Sequence, residues 1–493
     1  MRRRRGVGGT AASRRHRASP IRRLTAVGTA LVLATAIVSA LVVPGQPEYG
    51  GDSPWQGIAM DDLRTEPSAT GWRVDLRTAL APGAPSECLR YSAQPVTRGL
   101  ALVRAAGAWT YGFANDGDCA TPTRGVGSRI GSLDVDRGAF RWVHDVAEDL
   151  AGLGHTGPTS VSSVTPIDDG ATVLVRASAG GEGLLLTLDG ETGRTVGRAE
   201  LGSVTETDQF QTAGSVVVTG RQESAGGTYR YELRDVHRLG SVLWQGEGGT
   251  AGTVLALSDR LVVARADGTV QVDVTTGEES PWGARLDGLT GYVVRDDVVY
   301  SPTGGADAGA GRTGFVALAA DGREIWSSTE TVGSGFAATR SCLAVTDARS
   351  DSVSCLDLAS GDLRWTNSAS RSSGVDGLPG QTDDRVFATQ TAAGPGPVVI
   401  RTLDGDTGAF GMSVSLPEGA VPVAAARTVG YALAYGTSGG RSTLVAFDLS
   451  SGEQLWQHAA ELQVYAWAGH LVDVDVDGVA RRLVAPTPHV VAP

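Results

Sequence analysis

A chain of 493 residues is long enough for one large all-β domain or two to three ordinary ones. Gly is abundant at 68, charged residues make up 19%, and every Lys-or-Arg position is Arg. Nine of the 42 Arg fall in the first 23 residues, leaving 33 against 54 Asp and Glu, a balance of −21. A body so charged repels nucleic acid and anionic headgroups, which argues against both as partners.

In chain order, residues 1–23 are basic, polar and rich in small residues, and read as a disordered tail. Leu24 to Val43 is a run of twenty residues without a charge, about what ~30 Å of hydrocarbon requires of a helix. All nine flanking Arg precede it, while Glu48, Asp52, Asp61 and Asp62 follow. The positive-inside rule then places the tail in the cytoplasm and the body outside, with 24–43 as a single-pass anchor in the cell membrane. A cleavable signal peptide is the competing assignment, since Val38-Ser39-Ala40 resembles a cleavage site; the length favours a retained anchor. Residues 44–69 read as a linker, and 70–490 as the folded body.

That body repeats one phrase eight times. It appears as "LDVDRGAFRW" from Leu133, "LDGETGRTVG" from Leu188, "LRDVHRLGSVLW" from Leu233 and "VDVTTGEESPW" from Val272. It continues as "LAADGREIW" from Leu318, "LDLASGDLRW" from Leu356, "LDGDTGAFGM" from Leu403 and "FDLSSGEQLW" from Phe447. The anchoring glycines (Gly138, Gly193, Gly240, Gly277, Gly322, Gly361, Gly408 and Gly452) lie 37 to 55 residues apart, about 45 on average. That is the period of a four-stranded propeller blade. Between the phrases run short β-branched alternations broken by Gly, Asp and Ser turns, and no amphipathic helix is evident. Within each phrase the leading apolar residue ends a strand and faces the core. Asp bonds its own turn, and Gly supplies the positive φ of a short hairpin. Trp, where present, lies on the outermost strand and wedges against the next blade, its indole N–H seeking an acceptor. Gly197 and Met412 stand where Trp is expected, so those two interfaces are expected to pack less tightly.

The phrase resembles the tryptophan-docking motif (A-x-D-x-x-T-G-x-x-x-W) of PQQ-like β-propeller repeats. Such repeats build quinoprotein alcohol dehydrogenases and the propeller lipoprotein of outer-membrane assembly. The resemblance covers roughly residues 70–490 and implies an all-β propeller of four-stranded antiparallel blades. Eight phrases mark eight blades. Beyond the last, "LQVYAWAGHLVDVDVDGVARRLVAP" offers about three further strands, and "GWRVDLRTA" near Trp72 could supply a fourth. Nine blades would follow literally. Propellers typically have four to eight, so an eight-bladed ring is expected, with the terminal segments sharing or capping a blade.

Four Cys suit an oxidising location. Cys342 and Cys355 flank "LAVTDARSDSVS", which folds as a hairpin that brings them nearly opposite, so a cross-strand disulfide is expected. Cys88 and Cys119 would pair by elimination, although four Cys allow three connectivities.

Chemistry is hard to assemble. The resemblance to quinoproteins would imply PQQ held by vicinal Cys, a basic side chain, a Trp platform and calcium on Glu and Asn. No two Cys are adjacent here, Lys is absent, and Asn occurs only at 115 and 367. "GAGRTG" (Gly309 to Gly314) joins two strands with no helix to receive a pyrophosphate. "DVDVDG" (Asp473 to Gly478) begins like a calcium loop, but Val484 occupies the twelfth position where a bidentate Glu belongs; it reads as a strand with a solvated acidic face. The His residues are scattered, and the acid pairs Asp61-Asp62, Asp168-Asp169, Asp296-Asp297 and Asp383-Asp384 read as solvated loops or turns. No catalytic, cofactor-binding or metal residue is therefore assigned, and no cofactor. The expectation is a non-enzymatic, membrane-anchored extracytoplasmic propeller that binds envelope proteins through its loops. The contact elements expected are "DGDCATPTRGVGS" around Cys119 and "TGGADAGAGRTG" around Ala308. A PQQ-dependent dehydrogenase is the alternative.

Overall fold

The structure is a computed structural model. It describes residues 58–486 apart from 68, 83, 85–88, 108–126, 204–208, 223, 225–226, 250–252, 287–288, 290, 304–311, 333–334, 341, 348–351, 369–373, 382, 391–395, 436–441 and 461–462. The basic tail, the apolar run 24–43 and the Cys88–Cys119 pairing lie outside these residues. Among the described residues no helix is long and apolar enough to cross a membrane.

Among the described residues nine four-stranded antiparallel sheets follow one another. Blade 1 spans 89–145, blade 2 159–203, blade 3 209–247, blade 4 254–281 and blade 5 293–332; blade 6 spans 336–367, blade 7 374–416 and blade 8 420–460. Blade 9 joins the two ends of the body. Its strands Gln463–Trp467, His470–Val474 and Val479–Val484 come from the C-terminal side, and Ala69–Asp75 pairs with the last of them, from Ala69 opposite Val484 to Asp75 opposite Val479. The expected count of eight is thus corrected to nine. The terminal strands neither share nor cap a blade, because together they complete a four-stranded sheet of their own. Among the described residues two short α-helices also depart from the all-strand expectation: α1 (Leu76–Leu80) and α2 (Val146–Gly152), capped by the Asp75 and Asp145 carboxylates.

First strands contact one another around the ring. Phe336–Ala338 touches both Val293–Arg295 and Gly374–Asp376, and Gln463–Trp467 touches both Ala420–Ala425 and Leu89–Thr97, which closes the circle. Second strands are covered on both faces by neighbouring blades; Val429–Ala434 is buried throughout. Fourth strands form the rim and alternate, as in Phe410–Leu416. The core is therefore a set of inter-blade layers, such as Tyr300, Phe315 and Trp326 of blade 5 against Leu343, Val345 and Leu356 of blade 6.

The repeated phrase is the fastener of these layers. Nε1 of Trp142, Trp282, Trp326 and Trp365 donates to the carbonyls of Gly190, Ala320, Leu358 and Gly405, each in the next blade and each at 2.9 Å. The indole lies on the glycine of that neighbouring turn: a Cβ at Gly361 would come within 2.4 Å of the Trp326 ring. Gly361 is thus required twice, for its φ of +74° and for the space above it. The turn Asp holds the loop, with Asp357 accepting from the amides of Ala359 and Ser360. Trp72 of the N-terminal strand completes the series, donating to Val135 of blade 1 at 2.6 Å over Gly138.

At the two departures the seams are filled by other means. Thr187 pairs with Gly197, and its hydroxyl donates to the Val236 carbonyl of blade 3 at 2.7 Å, the role an indole N–H plays elsewhere. Met412 is buried against blade 8 beside Phe447 and Leu449. Cys342 and Cys355 form the expected disulfide. They are diagonal rather than opposite, since Cys355 faces Ala344.

Residues 58–67, inside the stretch read as linker, form a strap over blades 8, 9 and 1. Its Leu63 carbonyl accepts the Trp456 indole at 2.7 Å, and its Leu63 amide donates to the Tyr431 hydroxyl, which in turn donates to the Asp61 carbonyl. Blade 9 has no turn from its third strand, Val479–Val484, into its fourth, because the fourth, Ala69–Asp75, comes from the N-terminal side of the body. The strap supplies the acceptor such a turn would have offered.

Candidate functional site

The residues singled out in the sequence do not converge. His144 meets Asp149 at 2.7 Å, His155 meets Glu200 at 3.5 Å and His237 meets Asp168 at 3.0 Å, all in separate places. Among the described residues no group of three or more His, Cys, Asp or Glu is placed to hold a metal ion. Of "GAGRTG", Arg312 to Gly314 open a strand, and the rest lies outside the described residues. Asp168, Asp169, Asp296 and Asp297 sit at positive φ in tight turns, as expected of turn residues.

Two acidic stretches need correction. Asp473 and Asp475 are both 4% exposed, so the acidic face of "DVDVDG" is not solvated. Val472 and Val474 are buried as well, because a second strand is enclosed on both sides. Asp475 pairs with Arg481 and accepts from the amides of Asp477 and Val479, while Asp473 lies 4.0 Å from His458. Asp61 and Asp62, read as a loop pair, instead seat the strap. Asp61 contacts His470 Nδ1 at 2.6 Å, Arg98 at 2.7 Å and Arg482 at 3.2 Å, and Asp62 accepts from Thr428. His470 Nε2 lies 3.1 Å from Asp136, an ion-pair contact without hydrogen-bond alignment. Burial pushes the Asp61 carboxyl up, but the hydrogen bond and charge of His470, with Arg482 and Arg98, outweigh it and hold it below the ordinary value.

Connectivity gives the ring two unlike faces. In each blade the first-to-second and third-to-fourth turns share one edge of the sheet; second-to-third loops and blade-to-blade links share the other. The strap lies on the first face, bonded to Thr428, Gly469, Asp448 and Arg98, all in or beside such turns. Both long insertions join a second strand to a third: one leaves at Gly107 and returns at Gly127, the other leaves at Thr303 and returns at Arg312. Their anchoring ends, together with α1 and α2, therefore share the opposite face. The insertions themselves lie outside the described residues.

On that loop face a small open cleft lies between blades 2 and 3. Arg176, Arg221 and Arg230 line it with Glu232, Gln209, Thr219, Gly220 and Leu201. The Arg176 guanidinium lies 5.6 Å from the Phe210 ring centroid, and Arg221 Nη1 donates to the Leu201 carbonyl. Glu232 is engaged by Arg234 at 2.6 Å and by Gln245 at 3.2 Å. Three strands contribute the arginines, so no linear motif announced them.

The family described as "Outer membrane protein assembly factor BamB" matches residues 312–474, from the third strand of blade 5 to the second strand of blade 9. No curated protein matches the chain. Among solved structures, BamB from Moraxella catarrhalis is similar at 13% identity and a TM-score of 0.41, covering 84% of this chain and 98% of that one. Quinohemoprotein alcohol dehydrogenase from Comamonas testosteroni is similar at 13% and 0.42, covering 85% and 77%. A europium-containing methanol dehydrogenase is similar at 12% and 0.38, covering 84% and 89%. At such scores these three carry no argument about what this propeller does.

Proposed function

We propose that this PQQ-like propeller is a non-enzymatic, membrane-anchored extracytoplasmic module that binds envelope proteins through its loop face. The observation that supports this most is the separation of faces: the strap lies on one side of the propeller, and both long insertions are rooted on the other. Loops on a rigid scaffold are where recognition usually resides. The family description, an outer membrane protein assembly factor, agrees with such a role. Crosslinking and pull-down of the full chain from its native envelope test it. Recovery of the same envelope proteins by the wild type, and their loss when 108–126 and 304–311 are replaced by short Gly-Ser linkers, supports the proposal. Alcohol or sugar oxidation that depends on added PQQ and calcium overturns it.

A further inference from the structure

We infer that the seat of the strap is a recognition site for a linear, acidic segment of a partner protein, and that residues 58–67 are its built-in occupant. Thr428, in the first-to-second turn of blade 8, donates its amide to Asp62 Oδ1 at 3.1 Å and its hydroxyl to Asp62 Oδ2 at 2.7 Å. The ring uses the same two-point clasp between ordinary neighbours. In the matching turn of blade 4, the Ser258 amide donates to Asp297 Oδ1 of blade 5 at 2.9 Å, and the Ser258 hydroxyl donates to Asp297 Oδ2. At blade 8 the carboxylate comes from a separate segment instead of the next sheet.

The rest of the seat defines what such a segment must carry. Arg98, Arg482 and His470 face the Asp61 carboxylate at 2.7, 3.2 and 2.6 Å. Against them the ring sets Asp136, 3.1 Å from both Arg482 and His470. Asp448 pairs with Arg64 of the strap and also accepts from the amides of Ser450 and Ser451. Tyr431 and Trp456 engage the Leu63 backbone, and the Gly469 carbonyl accepts the Asp61 amide at 2.8 Å. Between Ile58 and Glu66 only Met60 and Leu63 are buried. The seat therefore selects two adjacent carboxylates between two apolar anchors, followed by a cation. The body's charge of −21 opposes acidic segments in general, but screening limits that opposition to about 8 Å, so the local cations dominate. The strap is an attached competitor, acting at an effective concentration on the order of millimolar, and it sets the affinity a partner must exceed.

The test is fluorescence anisotropy with two labelled peptides, one spanning 58–67 and one carrying only Met-Asp-Asp-Leu-Arg between Gly-Ser flanks. Each is titrated into the full chain, into the full chain with 58–64 replaced by Gly and Ser, and into Asp62→Asn, which loosens the strap without altering the ring. Both peptides should bind the strap-replaced chain saturably and less tightly as salt rises. Binding to the wild type should be roughly 100-fold weaker, with Asp62→Asn between the two. Asp61→Asn with Asp62→Asn in either peptide should weaken binding roughly 10- to 100-fold. Absence of saturable binding by both altered chains, or equal binding of the Asp and Asn peptides, overturns the inference. Binding of the 58–67 peptide alone confines the seat to its own strap and also overturns it. A complex of strap-replaced and wild-type chains that the 58–67 peptide dissociates assigns the seat to a second copy and overturns a separate partner.

Discussion

The seams of blades 4 to 7 and the closing region around blade 9 solve one problem with different chemistry. Between blades 5 and 6, Trp326 lies on Gly361, donates to Leu358 and sits in an apolar layer. Around blade 9 the same docking geometry recurs through Trp456 and Trp72, but beside it are His470, Asp473, Asp475, Asp61, Arg481 and Arg482. His470 is 1% exposed and still faces two carboxylates. A repeat seam joins neighbours in sequence and needs only complementary shape. The closing seam must bring together segments about 400 residues apart and select the right pair, a task for which directional charge contacts are better suited than apolar area. The lesson is that repetition supplies cohesion here, while polar contacts specify closure.

The comparison can be broken most severely by replacing 58–64 with Gly and Ser. This removes Asp61, the hydrogen-bonded partner of His470, and the buried Leu63 side chain that seats the carbonyl acceptor of Trp456; hydrogen exchange should rise throughout 463–484 while 336–367 stays protected. Equal protection in both regions would show that the strap is an ornament. Next in size, Trp326→Ala should cost about 3–5 kcal/mol in denaturant unfolding and be insensitive to salt, as expected of an apolar seam. Asp61→Asn should cost about 1.5–3 kcal/mol at neutral pH. Because the native Asp61 carboxyl is held below its unfolded value, its contribution is complete above about pH 3.9 and fades as pH falls through the native value. The gap between wild type and Asp61→Asn should therefore close in acid, and a gap that persists there would remove charge from the account. Smallest of all, Met412→Leu should cost under about 1.5 kcal/mol, since the swap nearly conserves volume in a seam that needs no indole donor.

Much of the fold was legible because its signals are local. Gly361 and Trp365 stand four residues apart in one phrase, and the spacing of such phrases reports the blade period. The Cys342–Cys355 pair was legible for the same reason, within one hairpin. Trp72 was noted only as part of a possible closing strand, because the turn it docks on, at Val135, carries its own separate phrase. The strap resembled a polar linker, since Asp61 and Asp62 show their purpose only beside His470 and Thr428. Asp473 and Asp475 misled because alternation with valine suggests one wet face, yet an enclosed second strand has none. The arginine cleft left no trace, its three cations lying on three strands.

By itself the sequence determined the architecture of the unit: four antiparallel strands, a turn held by Asp and Gly, and an indole presented to the next sheet. Hydrogen-bonding capacity, allowed φ and apolar periodicity are properties of neighbouring residues, and they repeat wherever the phrase does. Only the tertiary structure decided the number of blades, the use of 58–75 to close the ring, the two faces and the arginine cleft. Each of these depends on contacts between segments that the chain brings together only after every sheet is in place.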